Sequence, residues 1–130
     1  MALHDPGRPR ALVVDDARTV RLILKRILEE AGYEAIEAEN GRDALAWLAS
    51  GQNAHLVFVD WDMPEMNGIA FVKKVREQPL YRDIRLVMVT KETRLHNVKE
   101  ALDAGADEYI MKPFTRDVVR DKLQLLGLRV

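Results

Sequence analysis

Asp15 and Asp16, Asp60, Thr90 and Lys112 each stand where a short apolar run gives out: ALVV before the acid pair, LVFV before Asp60, LVMV before Thr90, and the run from Glu108 to Met111 before Lys112. Gathered into one crevice, the carboxylates of Asp15, Asp16 and Asp60 would repel one another, and one ammonium would not neutralise them. A hard divalent cation with oxygen ligands resolves that imbalance. Mg²⁺ is the natural choice, because it binds through a few carboxylates, keeps several waters and bridges to phosphate. A carboxylate beside such a metal can act as a nucleophile toward phosphorus and become an aspartyl phosphate. Metal and lysine would then stabilise charge on the transferring phosphoryl oxygens, and a threonine hydroxyl could hydrogen-bond another of them.

Taken singly, each residue also has a plain structural reading. An Asp beside a helix start is commonly a cap. An Asp after a strand is an ordinary turn acid, a Thr at a strand end is commonplace, and a Lys before a Pro is usually solvated. Their joint occurrence at the ends of four different apolar runs is what points to a site.

The elements that must position them alternate. Ala11–Val14 reads as a buried strand. Val20, Leu24, Ile27, Leu28 and Ala31 then fall on one face of a helix over Ala17–Ala31, and Gly32 suits the left-handed position that closes it. Glu34–Ala38 is a weaker strand, and Asn40 can cap a helix over Gly41–Ser50. Leu56–Val59 is β-branched and aromatic, as a central strand requires. Past Pro64 and Gly68, a helix turns Ile69, Val72 and Val75 inward. Leu86–Val89 is another buried strand, Val98, Ala101 and Leu102 mark a helix ended by Gly105, and Glu108–Met111 is the last strand. Thr115 caps a final helix with Val119, Leu123 and Leu126 inside. Apolar strands separated by amphipathic helices predict an α/β fold: a parallel sheet covered on both faces, doubly wound by right-handed crossovers. Ligands of such folds sit at the carboxyl ends of the strands, where the five residues lie.

The segments LVVDD (12–16), VDWDMPEMNG (59–68), MVTKE (88–92) and AGADEYIMKPF (104–114) resemble the response-regulator receiver family, especially its single-domain chemotaxis regulators. So do the intervals of 44 positions from Asp16 to Asp60, 30 from Asp60 to Thr90 and 22 from Thr90 to Lys112. The similarity runs from about Ala11 to Leu126. It implies a five-stranded sheet in the order 2-1-3-4-5 with five helices, an order that general knowledge of doubly wound folds attaches to this family. It implies that Asp60 is the phosphoacceptor, that Asp16 and Asp60 bind Mg²⁺ directly with the backbone carbonyl of Asp62, and that Asp15 helps orient the metal. Lys112 would pair with phosphoryl oxygens across a cis bond to Pro113. Thr90 would move toward the phosphoryl group and Tyr109 would turn inward, shifting the packing of the face from Arg94 to Leu126. Tyr109 also admits a reading as plain packing at a sheet edge.

Three positions depart from the family pattern. Lys91 stands where relatives place a small residue, so it could attract the phosphodonor or hinder it. Asp62 is an acid where an amide is frequent and could affect attack by water, with a sign left open, or be a solvated turn acid. Asn67 replaces a common aspartate in what reads as a left-handed turn. Trp61 adjoins the acceptor and, if exposed there, should report Mg²⁺; Trp47 reads as a partly buried helix-face residue.

The remaining expectations come from size and composition. The chain has 130 residues, 48% hydrophobic and 32% charged, which suits one globular domain over residues 11–130 after a loose arm at 1–10. A net charge of −1 gives no field favouring nucleic acid or an anionic membrane. The absence of cysteine excludes disulfides and thiol catalysis and agrees with a cytoplasmic protein. No apolar stretch approaches a membrane span. The expected function is a phosphoacceptor signalling protein, not a turnover enzyme. The resemblance adds a chemotaxis-type histidine kinase as donor, a flagellar-motor switch protein as target, and a phosphatase. The alternatives are a phosphorelay intermediate, a partner-binding pseudo-receiver, a flavodoxin-like module or a Mg²⁺-dependent haloacid-dehalogenase-type phosphohydrolase. The last would use Asp60-Trp61-Asp62 as a DxD pair, but after the wrong strand and with Pro64 where Thr or Val belongs. The flavodoxin-like reading needs a phosphate loop that DDART does not supply.

Overall fold

A computed structural model describes residues 7–91 and 97–130. Its elements are β1 (Arg10–Val14), α1 (Arg18–Glu30), β2 (Glu34–Ala38), α2 (Gly41–Ala49), β3 (Leu56–Asp60), α3 (Gly68–Arg76), β4 (Arg85–Lys91), α4 (Val98–Ala104), β5 (Glu108–Lys112) and α5 (Arg116–Leu125). A 3-10 turn at Pro79–Tyr81, absent from the sequence reading, joins α3 to β4. All strand pairs are parallel and the sheet order is β2-β1-β3-β4-β5.

Burial explains this architecture. Because successive strand residues face opposite ways, an unbroken apolar strand feeds two cores. Leu12, Val14, Val57, Val59, Leu86 and Met88 pack with Leu48, Phe71, Val72 and Val75 on the side of α2 and α3. Val13, Phe58, Val87, Val89 and Ile110 pack with Leu24, Leu28, Val119 and Leu123 on the side of α1 and α5. The chain winds from β1 out to β2 on one side and to β3 on the other, so the crevice between the ends of β1 and β3 is the topological switch point.

Local signals set most boundaries. Asn40 accepts a hydrogen bond from the Asp43 backbone N–H at 2.7 Å and caps α2. Thr115 does the same for α5 through the Val118 N–H, at 3.2 Å. Gly32 adopts φ 99° after α1 and Gly105 φ 120° after α4, conformations that a side chain disfavours. Val119 and Leu123 are buried as the helical spacing predicts, whereas Leu102 is largely exposed. The left-handed reading of Asn67 is corrected: its φ is −74°, and its side chain caps α3 by accepting from the Ala70 N–H at 2.9 Å. The left-handed residue of that loop is Glu65, with φ 67°.

The expected N-terminal arm lies partly outside the described residues. Its described end is engaged: Arg8 donates to the Tyr33 carbonyl at 2.7 Å, and Arg10 opens β1 opposite Glu34. Residues 92–96, where the expected switch face begins, also lie outside the description. No described helix is long and apolar enough to cross a membrane.

Candidate functional site

β1 and β3 are register neighbours, with Val14 opposite Val59, so Asp15 and Asp60 emerge side by side. Carboxylate oxygens of Asp15, Asp16 and Asp60 all lie within 4.8 Å of one another. Asp15 and Asp60 are buried, at 1% and 5% exposure, and Asp16 faces solvent. The Asp15 Oδ1 accepts the Ala17 backbone N–H at 2.8 Å, bending the chain into α1. This leaves Ala17 at the cap position, with no side-chain cap of its own.

Lys112, at the end of β5, reaches over this group. Its Nζ lies 3.3 Å from Asp15 Oδ2 and 3.3 Å from Asp60 Oδ1. The peptide from Lys112 to Pro113 is cis. Burial works against the charged form of Lys112, but Asp60 and Asp15 outweigh it and hold the ammonium above its ordinary range. Burial first, and then the Asp15 charge, push the Asp60 carboxyl up from 3.8 to about 6 despite the lysine, with Asp62 adding to the rise. The crevice thus gathers three carboxylates around one ammonium, a surplus of negative charge that raises the affinity of Asp60 for protons.

The donor set fits a hard divalent ion. All the clustered atoms are carboxylate oxygens, as Mg²⁺ prefers, and one of the three residues is open to solvent, where retained waters could sit. Asp15 Oδ2 is buried beside Lys112 without a hydrogen bond of good geometry.

Thr90 is 1% exposed, and its hydroxyl makes a long hydrogen bond, 3.4 Å, to the Lys91 carbonyl. Tyr109 is half-buried against the core on the side of α3, with the Lys122 Nζ 4.5 Å from its ring centre. Lys122 is itself 3.0 Å from the Glu108 carboxylate. Lys91 is paired with Asp62 at 3.8 Å, so two of the three departures from the family pattern meet. Trp61 is buried, at 6% exposure, and Trp47 is half-buried on α2.

Two supporting residues went unseen in the sequence. Arg21 is 7% exposed, donates to the Asp15 carbonyl at 2.7 Å and lies 3.0 Å from the Glu37 carboxylate. A signal was available, since Arg21 falls three and seven places before Leu24 and Leu28, on the inner stripe of α1. Gly68 lies under Asp60: a Cβ there would stand 2.5 Å from the Asp60 carbonyl oxygen and 2.8 Å from Met88 Sδ.

Trp61 follows directly on Asp60 in the chain, so its indole senses the local field although it is buried. Titration with Mg²⁺ is expected to change its fluorescence saturably in wild type and to leave it unchanged in an Asp16→Asn, Asp60→Asn double variant. Equal responses in both proteins would place the ion elsewhere.

Comparison with known proteins agrees with this geometry. The family model described as "Response regulator receiver domain" matches residues 11–124. Chemotaxis protein CheY1 of Helicobacter pylori (strain 26695) is 42% identical over 118 residues, covering 90% of this chain and 95% of that protein. A chemotaxis protein CheY homolog of Campylobacter jejuni (strain 81-176) is 43% identical over 116 residues, covering 88% and 89%. Among solved structures, chemotaxis response regulator CheY4 of Vibrio cholerae superposes with a TM-score of 0.84 at 34% identity, covering 92% of this chain and 99% of that one. On sequence, fold and the placement of its acidic crevice together, the chain belongs to the response regulator receiver domain family.

Proposed function

We propose that Asp60 accepts a phosphoryl group from a histidine kinase, and that the phosphorylated chain signals in chemotaxis by binding a protein target. The observation that carries this reading is the convergence of Asp15, Asp16 and Asp60 oxygens within 4.8 Å, with the Lys112 ammonium 3.3 Å from the Asp60 carboxylate. The kind of relative supports the wider role: proteins named for chemotaxis, matched over nearly their whole length.

The chemistry follows from the side chains. Asp15, Asp16, Asp60 and the backbone carbonyl of Asp62 would hold Mg²⁺, which when bound neutralises charge on phosphoryl and carboxylate oxygens. The ionised Asp60 carboxylate attacks phosphorus; a new O–P bond forms as the N–P bond to the donor imidazole breaks, and the leaving nitrogen takes a proton. Lys112 balances charge on the equatorial oxygens. The Thr90 hydroxyl, whose bond to the Lys91 carbonyl is long, turns to a phosphoryl oxygen, and Tyr109 follows into the space released. The altered face presented by β5 and α5 is what a target distinguishes, as a population shift requires. A motor-switch protein is the target of the kind expected, a phosphatase the opposing partner, and the cytoplasm the compartment where both are met.

Incubation with acetyl phosphate and Mg²⁺ should add one phosphoryl group per chain, seen as a mass increase lost on treatment with hydroxylamine. Chelation of the metal or the Asp60→Asn substitution should abolish it, and Lys112→Met should slow it by roughly a hundredfold, the scale of losing one charge-stabilising group. Full incorporation into the Asp60→Asn protein would refute the assignment. Sustained release of phosphate from monoesters would favour the phosphohydrolase alternative.

A further inference from the structure

β3 ends at Asp60, yet Trp61 still donates its backbone N–H to the Val89 carbonyl at 2.9 Å, so the chain keeps its place beside β4 for one more residue. Asp62 therefore emerges next to Lys91, the last residue of β4, and Lys91 in turn is the register partner of Lys112. Two lysines side by side at strand ends repel one another unless each is given its own acid. Here they are divided: Lys112 lies on Asp15 and Asp60, and Lys91 lies 3.8 Å from Asp62. The two pairs differ in exposure. The Lys112 side chain is 26% exposed and the Lys91 side chain 64%, so the outer pair forms the rim of the crevice and the inner pair its floor.

An exposed pair of this kind contributes little to folding. At the lip of a concave acidic site, however, an uncompensated carboxylate repels any incoming anion, because low-dielectric walls focus the field.

We infer that Lys91 is a charge-compensating residue for phosphotransfer: it neutralises the Asp62 carboxylate at the rim, so that a negatively charged phosphodonor can reach Asp60. This rests on Asp60 being the acceptor. Lys91 in this role is a positioning and screening residue, acting through Asp62 and not on phosphorus. It also assigns two of the three departures from the family pattern to one device, in which an added acid is matched by an added base.

The test is a double-mutant cycle read as the rate of phosphorylation by acetyl phosphate at saturating Mg²⁺, with the metal affinity of each protein measured separately by Trp61 fluorescence. Lys91→Ala should react about fivefold more slowly than wild type, a typical effect for one charge steering an anion into a cleft. Lys91→Arg should keep the wild-type rate, and the deficit of Lys91→Ala should shrink as ionic strength rises. In the Asp62→Asn background, removal of Lys91 should change the rate less than twofold (an order-of-magnitude bound for a neutral rim). A fivefold loss that persists in that background would overturn the inference by showing that Lys91 acts without Asp62, and so would equal rates for Lys91→Ala and wild type. Failure of the receiver reading looks different: wild type itself would then take up no label that depends on Asp60.

Discussion

Without divalent cations at pH 7.5, the Asp60→Asn protein is expected to be more stable than wild type by on the order of 2 kcal/mol, a rise in melting temperature of roughly 5–8 °C. The cause is the burial of the Asp60 charge beside Asp15, which raises its carboxyl to about 6 in the folded chain from the 3.8 of an unfolded one. Between those two values the folded state binds more protons than the unfolded state, so the fold gains stability as pH falls through 6 and the gain is complete below about 4. Above 6 the ionised carboxylate weighs fully against folding. Removing the charge removes that cost, which is already net of the attraction of Lys112. The advantage of the variant should therefore be greatest near neutral pH and vanish near pH 4. Mg²⁺ should stabilise wild type by mass action and leave the variant nearly unmoved, reversing their order. Chemical denaturation of both proteins at several pH values, with and without Mg²⁺, measures all of this. Equal stability at pH 7.5 without metal would mean that the crevice does not crowd its charges.

Gly68→Val is expected to destabilise the fold by about 3 kcal/mol, the upper range for overpacking a rigid site. Its Cβ would stand 2.5 Å from the Asp60 carbonyl oxygen and 3.0 Å from the Trp61 Cα, both backbone atoms, and 2.8 Å from the buried Met88 sulfur. The sulfur can give way, but the backbone can do so only by moving the end of β3. The variant should therefore also bind Mg²⁺ at least tenfold more weakly, even under conditions where it remains folded (an order-of-magnitude figure for a displaced ligand). Gly51→Ala serves as the control. That position too is a glycine outside the sheet, but nothing lies within 4 Å of an added Cβ, and only its φ of 90° disfavours a side chain. It should lose about 1 kcal/mol of stability and no metal affinity. Unchanged Mg²⁺ binding by folded Gly68→Val would show that the Asp60 backbone is not held from beneath.

What could be read in the sequence divides along physical lines. Strands buried on both faces have no alternation to mislead, so Leu56–Asp60 and Leu86–Val89 were evident as apolar runs, and the acids, Thr90 and Lys112 at strand ends followed from the fold type. Asn40 and Thr115 were legible as caps because their side chains bond only a few residues ahead. Asn67 shows the limit of the same reasoning: asparagine suits both a helix cap and a left-handed turn, and the path of the loop made it the former and gave the turn to Glu65. Arg21 was hidden because a charge on the inner stripe of a helix makes sense only once Glu37 and the Asp15 carbonyl are known to lie opposite it. The meeting of Lys91 with Asp62 depends on the register of β3 against β4, which neither segment encodes alone. Leu102 carried the helical spacing of a core residue, yet α4 is short and turns it outward.

The anchoring of Asp15 by Arg21 gives the crevice two unlike jaws. On one side a guanidinium joins the turn after β1 to β2 through two short bonds, and the acids there stand on a stiff mount. On the other side the Thr90 hydroxyl makes a long bond, 3.4 Å, to the Lys91 carbonyl, and Lys112 reaches in from β5 on its own side chain. Strain introduced between unequal jaws is relieved by the yielding one, so a change at Asp60 is expected to displace β4 and β5 more than β2. That asymmetry belongs to the crevice itself and needs no partner to create it.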